Sequence, residues 1–212
     1  MGHSEGGIIA GMVARRINPA FVILMASPAV PGDSLLLAQS RAIMQAMGKS
    51  PKAGRAAASA NRKLYKAVQQ QNPNWKQVES QLHAALEKAT PDSLRASLPQ
   101  QVNAQMQALK SAWFRFFLGY DPAPDLAALF CPVLALFGQK DTQVPPEQNI
   151  EALRNIIDRH DKTNYQIRSV DQANHLFQKA ETGAPTEYMK LDKAFAEDFE
   201  QAIAQWLQSL KL

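Results

Sequence analysis

The apolar positions of this chain follow two patterns. Residues 20–27, AFVILMAS, are a continuous apolar run closed by Ser27-Pro28. A run without alternation suits a strand buried on both faces, as in a parallel sheet. PVLALF at 132–137, closed by Gly138, is a second such run. NYQIRSV at 164–170 is a third, with β-branched residues but mixed polarity. Elsewhere the spacing is helical. Ile8, Ile9, Met12, Val13 and Ile17 predict a helix over 4–17, and the glycines before them suit a tight turn into it. Pro146 opens a helix over 146–157 that carries Ile150, Leu153, Ile156 and Ile157. Leu191, Phe195, Phe199, Ile203, Trp206, Leu207 and Leu210 form one stripe, which predicts a helix over 191–210 that a sheet or another helix must cover. Strand and helix alternate at both ends of the chain, so the fold class is α/β.

The middle differs. Between Asp33 and Leu118 no segment reads as a strand, and Ala, Gln, Lys and Leu dominate. Ser50-Pro51, Asn72-Pro73, Thr90-Pro91 and Leu98-Pro99 mark helix boundaries, because the residue before a proline is pushed out of the helical region. The expected organisation is core residues 1–32, a helical insertion over 33–118, and core again over 119–212.

Composition narrows the function classes. The chain has 212 residues, 46% apolar and 20% charged, which fits one globular domain with an insertion. The single cysteine, Cys131, excludes an internal disulfide framework and a cysteine-rich zinc site; at a strand entrance it reads as a buried structural thiol. No apolar run is long enough for a membrane-spanning helix, and a soluble chain is expected. The balance of 23 Lys and Arg against 19 Asp and Glu is a mild +4. Between Gly48 and Lys110 there are ten basic and three acidic residues, a net +7 that leaves −3 for the rest. These charges are spread out, with only Tyr65 and Trp75 as aromatics among them. They read as a solvated face and not as a nucleic-acid site.

Three short segments carry candidate chemistry. Gly2-His3-Ser4-Glu5-Gly6 is a G-x-S-x-G pentapeptide leading into a helix. A serine nucleophile needs a sharp turn between strand and helix, which flanking glycines let close. The backbone N–H of Glu5 would then face a developing oxyanion. The competing reading is a glycine-rich helix start capped by Ser4. Asp141 follows the strand at 132–137, on the edge where open α/β sheets carry function; it also reads as a turn residue or helix cap. His175, in Asn174-His175-Leu176-Phe177, follows the third strand. His83 and His160 read as solvated, and His3 as a support for the turn. Singly these signals are weak. Together Ser4, Asp141 and His175 stand in the order of the α/β-hydrolase fold, each beside an apolar run or a turn into a helix. His175 would take the Ser4 proton and Asp141 would fix its tautomer. Trp113, Phe114, Phe116 and Phe117 form an apolar cluster that reads first as core where insertion meets sheet. Trp113, Phe114 and Phe117 are also candidates for the substrate pocket.

GHSEGGIIA, the VPGDSLLLAQ segment, WFRFFLGYDP, CPVLALFGQKDTQVPPEQN and ANHLFQ together resemble bacterial α/β hydrolases of the serine esterase and serine-aminopeptidase-like type. The resemblance runs along the whole chain and is thinner in the helical insertion. It implies a partial α/β-hydrolase fold of about three parallel strands with an all-helical cap over the site. It also implies hydrolysis of a small-molecule carboxylic ester on Ser4, Asp141 and His175, with no metal or organic cofactor. A peptidase or thioesterase could use the same triad, since a fold does not select the leaving group. In the family, strands precede the elbow and a glycine-rich loop gives a second oxyanion N–H; neither has a counterpart here. The chain is therefore expected to be the C-terminal portion of an α/β hydrolase, whether from an internal methionine of a longer reading frame, a truncated gene, or a half that a separate chain complements. The elbow would lack a launching strand and the strand at Ala20 would lack one neighbour. That open edge would invite self-association, and an inactive fragment is the non-enzyme alternative.

Overall fold

The computed structural model describes residues 1–210. Four strands form one parallel sheet in the order β1 (Gly2–His3), β2 (Val22–Met25), β3 (Val133–Gly138) and β4 (Tyr165–Val170). The fold is a partial α/β-hydrolase fold, with one strand more than the apolar runs predict. β1 is the addition. Its two residues pair with β2 in the register Gly2↔Leu24 and His3↔Met25. Two residues are too few to show a period, so the sequence hides this strand. Its presence corrects two expectations. Ser4 does leave a strand, and β2 does have a neighbour on that side.

Alternation along the inner strands separates two apolar layers. Val22, Leu24, Val133, Ala135 and Phe137 face one side. They pack with residues of α1 (Glu5–Ile17), α7 (Ala123–Ala127) and α8 (Pro146–Arg159). Ile23, Leu134 and Leu136 face the other side, toward Phe177 and toward Phe199 and Trp206 of α9 (Glu197–Ser209). All six residues of β3 are buried, as its unbroken apolar sequence requires. β4 is an edge strand with largely accessible positions, which explains its mixed polarity. Cys131 is buried in the first layer, where burial pushes its thiol up.

The C-terminal helix is shorter than its apolar stripe predicts. It begins at Glu197, and Leu191 and Phe195 lie before it. Phe195 still reaches the ring of Phe199, centroids 4.9 Å apart, so side-chain contact preserves the spacing without a helix. Of the predicted stripe on α1, Ile8 is buried but Ile9, Val13 and Ile17 are exposed.

Between β2 and β3 run α2 (Gly32–Ala46), α3 (Pro51–Val68), α4 (Trp75–Ala89), α5 (Leu98–Lys110) and α6 (Ala112–Gly119). Ser50, Asn74 and Ser111 cap α3, α4 and α6 by accepting from Ala53, Gln77 and Phe114 N–H. Leu98-Pro99 marks a helix boundary as expected, the start of α5, where Pro99 sits in the first turn and its missing N–H costs nothing. α3, α4 and α5 enclose a third apolar cluster that includes Val68, Val78 and Leu118. Tyr65, at its border, has its phenol pushed up to about 12 by burial.

Candidate active site

The C-terminal ends of the parallel strands share one edge of the sheet, and the three predicted residues leave from it. Ser4 follows β1, Asp141 follows β3 and His175 follows β4. Backbone strain collects there as well. Ser4 has φ 54°, Ala26 at the end of β2 has φ 46°, and Phe177 has φ 57°. Positive φ at non-glycine residues is costly and tends to persist where a site needs it.

The turn at Ser4 is closed by backbone approach. A Cβ on Gly2 would overlap the carbonyl of Gly6, so only glycine lets β1 meet the first turn of α1. Ser4 N–H donates to Met25 O at 2.8 Å, and Ser4 O accepts from Gly7 N–H. Ser4 is the N-cap of α1, yet its side chain makes no cap hydrogen bond. The capping explanation for this serine therefore falls, and its hydroxyl is left uncommitted by the helix. Glu5 is the first residue of α1, where backbone N–H groups have no partner inside the helix.

Asp141 and His175 form a buried pair. Nδ1 of His175 lies 2.8 Å from Oδ2 of Asp141, and the Asp141 side chain is 0% exposed. The other carboxylate oxygen, Oδ1, accepts from the N–H groups of Gln143 and Val144 at 2.8 and 2.9 Å. Three donors thus hold one carboxylate, which orients it toward the imidazole. The β3 turn and the histidine loop come together closely. A Cβ on Gly138 would overlap the carbonyls of Ala173 and Asn174. Among the described residues no hydrogen bond joins the Ser4 hydroxyl to the His175 ring, whose side-chain partner is Asp141.

His3, read from the sequence as a support for the turn, and two residues that the sequence did not single out complete the surroundings. His3 donates from Nε2 to the carbonyl of His175 at 2.7 Å. Tyr188 accepts from Gln143 Nε2 at 2.9 Å and also meets the backbone of His175. Burial pushes the Tyr188 phenol up. Gln143 and Tyr188 stand in polar turns with no periodicity, so no sequence signal marks them.

Ser4 and Glu5 open onto a cavity of about 250 Å³, walled by Leu35 and Leu36 of α2, by Trp113, Phe114 and Phe117 of α6, and by Val144. The three aromatics considered for a pocket do line it, each differently. Phe117 also packs on the sheet, Phe114 on the cap cluster, and Trp113 is 40% exposed at the mouth. A larger cavity of about 410 Å³ lies between β4 and α9, with walls that include Arg168, Asp198 and Gln201. It contains none of the three candidate residues. The smaller cavity is the one that Ser4 lines.

Beyond the pocket, Tyr120 at the end of α6 donates to Asp125 of α7, which also accepts from Arg15 of α1 at 2.7 Å. Burial raises the Asp125 carboxyl, but these bonds outweigh it and hold the group below its ordinary value.

Residues 53–201 match the sequence pattern of the prolyl oligopeptidase family, well over half of the chain. The chain belongs to the prolyl oligopeptidase family. With its parallel sheet and helical layers it is an α/β hydrolase, as the sequence blocks implied. Solved structures similar to it include a thermophilic esterase from Thermogutta terrifontis, at 23% identity and TM-score 0.43. MenH from S. aureus is similar at 15% identity and TM-score 0.44, over 98% of this chain and 66% of that one. A proline iminopeptidase from Mycobacterium smegmatis is similar at 15% identity and TM-score 0.47, over 98% of this chain and 63% of that one. The match to the esterase covers 98% of this chain but 63% of the esterase, so the family member described here spans less than two thirds of that length. No curated protein matches it. No described helix is long and apolar enough to cross a membrane.

Proposed function

We propose that this family member hydrolyses small carboxylic esters through an acyl-enzyme on Ser4. The observation that carries the reading is the buried His175–Asp141 pair on the sheet edge that also bears Ser4 in its strained turn. A doubly anchored carboxylate beside Nδ1 fixes that nitrogen as the protonated one. Nε2 is then the basic nitrogen, able to take the Ser4 proton once substrate brings the two together. Ser4 Oγ attacks the acyl carbon and the carbonyl π-electrons move to oxygen. The Glu5 N–H, at the positive end of α1, stabilises that oxyanion. Collapse expels the alcohol, which takes its proton from His175. Water repeats the sequence to release the acid and free Ser4.

Residues 33–118 act as a cap over this site, between core segments 1–32 and 119–212. The cavity of about 250 Å³ holds roughly eight water volumes, which suits a short acyl group against Leu35, Leu36 and Phe117. The family match favours a second reading, in which the same groups cleave a peptide bond.

Fluorophosphonate labelling of the 212-residue chain tests the mechanism. The expected result is label on Ser4, lost in His175→Ala. Folded chain that takes no label at Ser4 refutes the reading. Paired p-nitrophenyl esters and p-nitroanilides of one acyl group separate esterase from peptidase.

A further inference from the structure

Ser4 and His175 belong to segments far apart in the sheet. Ser4 leaves β1 at one edge, and the His175 loop leaves β4 at the other. β1 pairs with β2 through Gly2 and His3. No hydrogen bond joins the Ser4 hydroxyl to the ring of His175 among the described residues. The side chain next to Ser4 does span the gap.

His3 is the last residue of β1, and Ser4 follows it in the turn into α1. His3 pairs in register with Met25, on the face that carries Phe177 and α9. From there its Nε2 reaches the carbonyl of His175 at 2.7 Å. A carbonyl can only accept, so Nε2 of His3 carries the proton. Its ring also lies against the His175 ring, centroids 4.7 Å apart, and near Phe177 at 6.3 Å. One side chain therefore holds both the backbone and the ring of the residue read as the general base. Its own backbone fixes the proposed nucleophile one residue on.

We propose that His3 is a positioning residue for the reaction: its Nε2–H···O=C bond to His175 sets the distance between the elbow and the histidine loop. This rests on the Ser4 hydrolase reading above. The role belongs to the donor at Nε2, with the ring contact secondary. A side chain with an N–H at the same reach therefore preserves it, and an aromatic ring without a donor does not. Loss of the bond would affect the proton-transfer step and leave ground-state binding alone, so the change falls on kcat and not on KM.

The test uses the full chain with His3→Gln, His3→Phe and His3→Asn. Gln carries an amide N–H at about the reach of imidazole Nε2, Phe keeps a ring without a donor, and Asn carries a donor that falls short. Three quantities are measured: the melting temperature, kcat and KM for p-nitrophenyl butyrate, and the NMR resonance of the His175 Nδ1–H facing Asp141. Expected for His3→Phe is a kcat lower by about tenfold, the rate equivalent of one ordinary hydrogen bond, at unchanged KM. Its Nδ1–H resonance is broadened by exchange. His3→Gln restores both; His3→Asn behaves as Phe does and replaces it should Phe fail to fold. A kcat and a resonance unchanged in Phe and Asn overturn the proposal, as does a Gln variant as impaired as Phe. Should the wild-type chain turn over no ester, the hydrolase reading fails. The resonance alone then decides: lost in Phe and kept in Gln supports positioning, and kept in both overturns it.

Discussion

Asp141→Asn separates the chemistry of the buried pair from its structural role. Asp141 makes three bonds, two through Oδ1 to the Gln143 and Val144 N–H groups and one through Oδ2 to His175. Asn is nearly isosteric, and its amide oxygen can keep both backbone bonds. Its NH₂ then faces Nδ1 of His175. Two donors cannot face each other, so the imidazole must move its proton to Nε2, where it can no longer accept from Ser4. The structural loss is one charge-assisted bond, about 1.5–3 kcal/mol, offset in part by a smaller desolvation cost for the neutral amide. On the proposed reading the catalytic loss is the wrong tautomer, worth about 10⁴ in kcat where a Ser-His-Asp triad operates. Asp141→Ala is the control. It orphans two buried N–H groups and should cost a further ~1–3 kcal/mol for each. The assay is steady-state hydrolysis of p-nitrophenyl butyrate beside thermal unfolding. The expected order is wild type, Asn, Ala in stability, with Asn and Ala alike in their loss of kcat. Asn within tenfold of wild type in kcat would refute the tautomer argument.

Gly138→Ala should separate the β3 turn from the histidine loop, because the added methyl meets backbone carbonyls that cannot swing away. A loss of about 1–3 kcal/mol is expected from overpacking, read as a lower melting temperature together with reduced turnover; an unchanged melting temperature would sink the argument. Trp113→Ala, at the mouth of the cavity, should raise KM for an aromatic ester roughly fivefold, for about 1 kcal/mol of lost ring contact. Its melting temperature should hold, and an unchanged KM would remove Trp113 from the pocket. Asp125 has a depressed carboxyl pKa in the fold, so its contribution is present above the unfolded value and lost as pH falls through the folded one. Asp125→Asn should therefore be less stable than wild type at neutral pH and converge with it in acid. Because Arg15 is 56% exposed, the difference should stay below about 1 kcal/mol and shrink in salt. A gap that widens in acid would contradict this linkage.

Legibility in the sequence tracked local pattern. β2 and β3 announce themselves because burial on both faces demands unbroken apolar runs, and Asp141 and His175 stand where such runs or their edge-strand partner end. β1 was hidden because two residues carry no period. Helix α9 starts later than its stripe implies, because spacing does not record helix: Phe195 touches the Phe199 ring from the segment before α9 and stays exposed itself. The stripe on α1 could not reveal that Ile9, Val13 and Ile17 stay exposed, since periodicity gives a face and not its neighbour. The His3–His175 bond joins residues 172 positions apart, and nothing local encodes it.

The insertion between β2 and β3 also bears on how the chain reaches its fold. These central strands must pair in parallel across a gap of roughly a hundred residues, and closing a flexible loop of that size is slow and entropically costly. The helices α3, α4 and α5 enclose an apolar cluster of their own. Collapsing first, they would turn a long flexible tether into a compact body that brings its two ends near each other. Hydrogen exchange during refolding would then protect Val68 and Val78 before Leu134 and Leu136. The three helices would first have acted as the scaffold on which the sheet is joined.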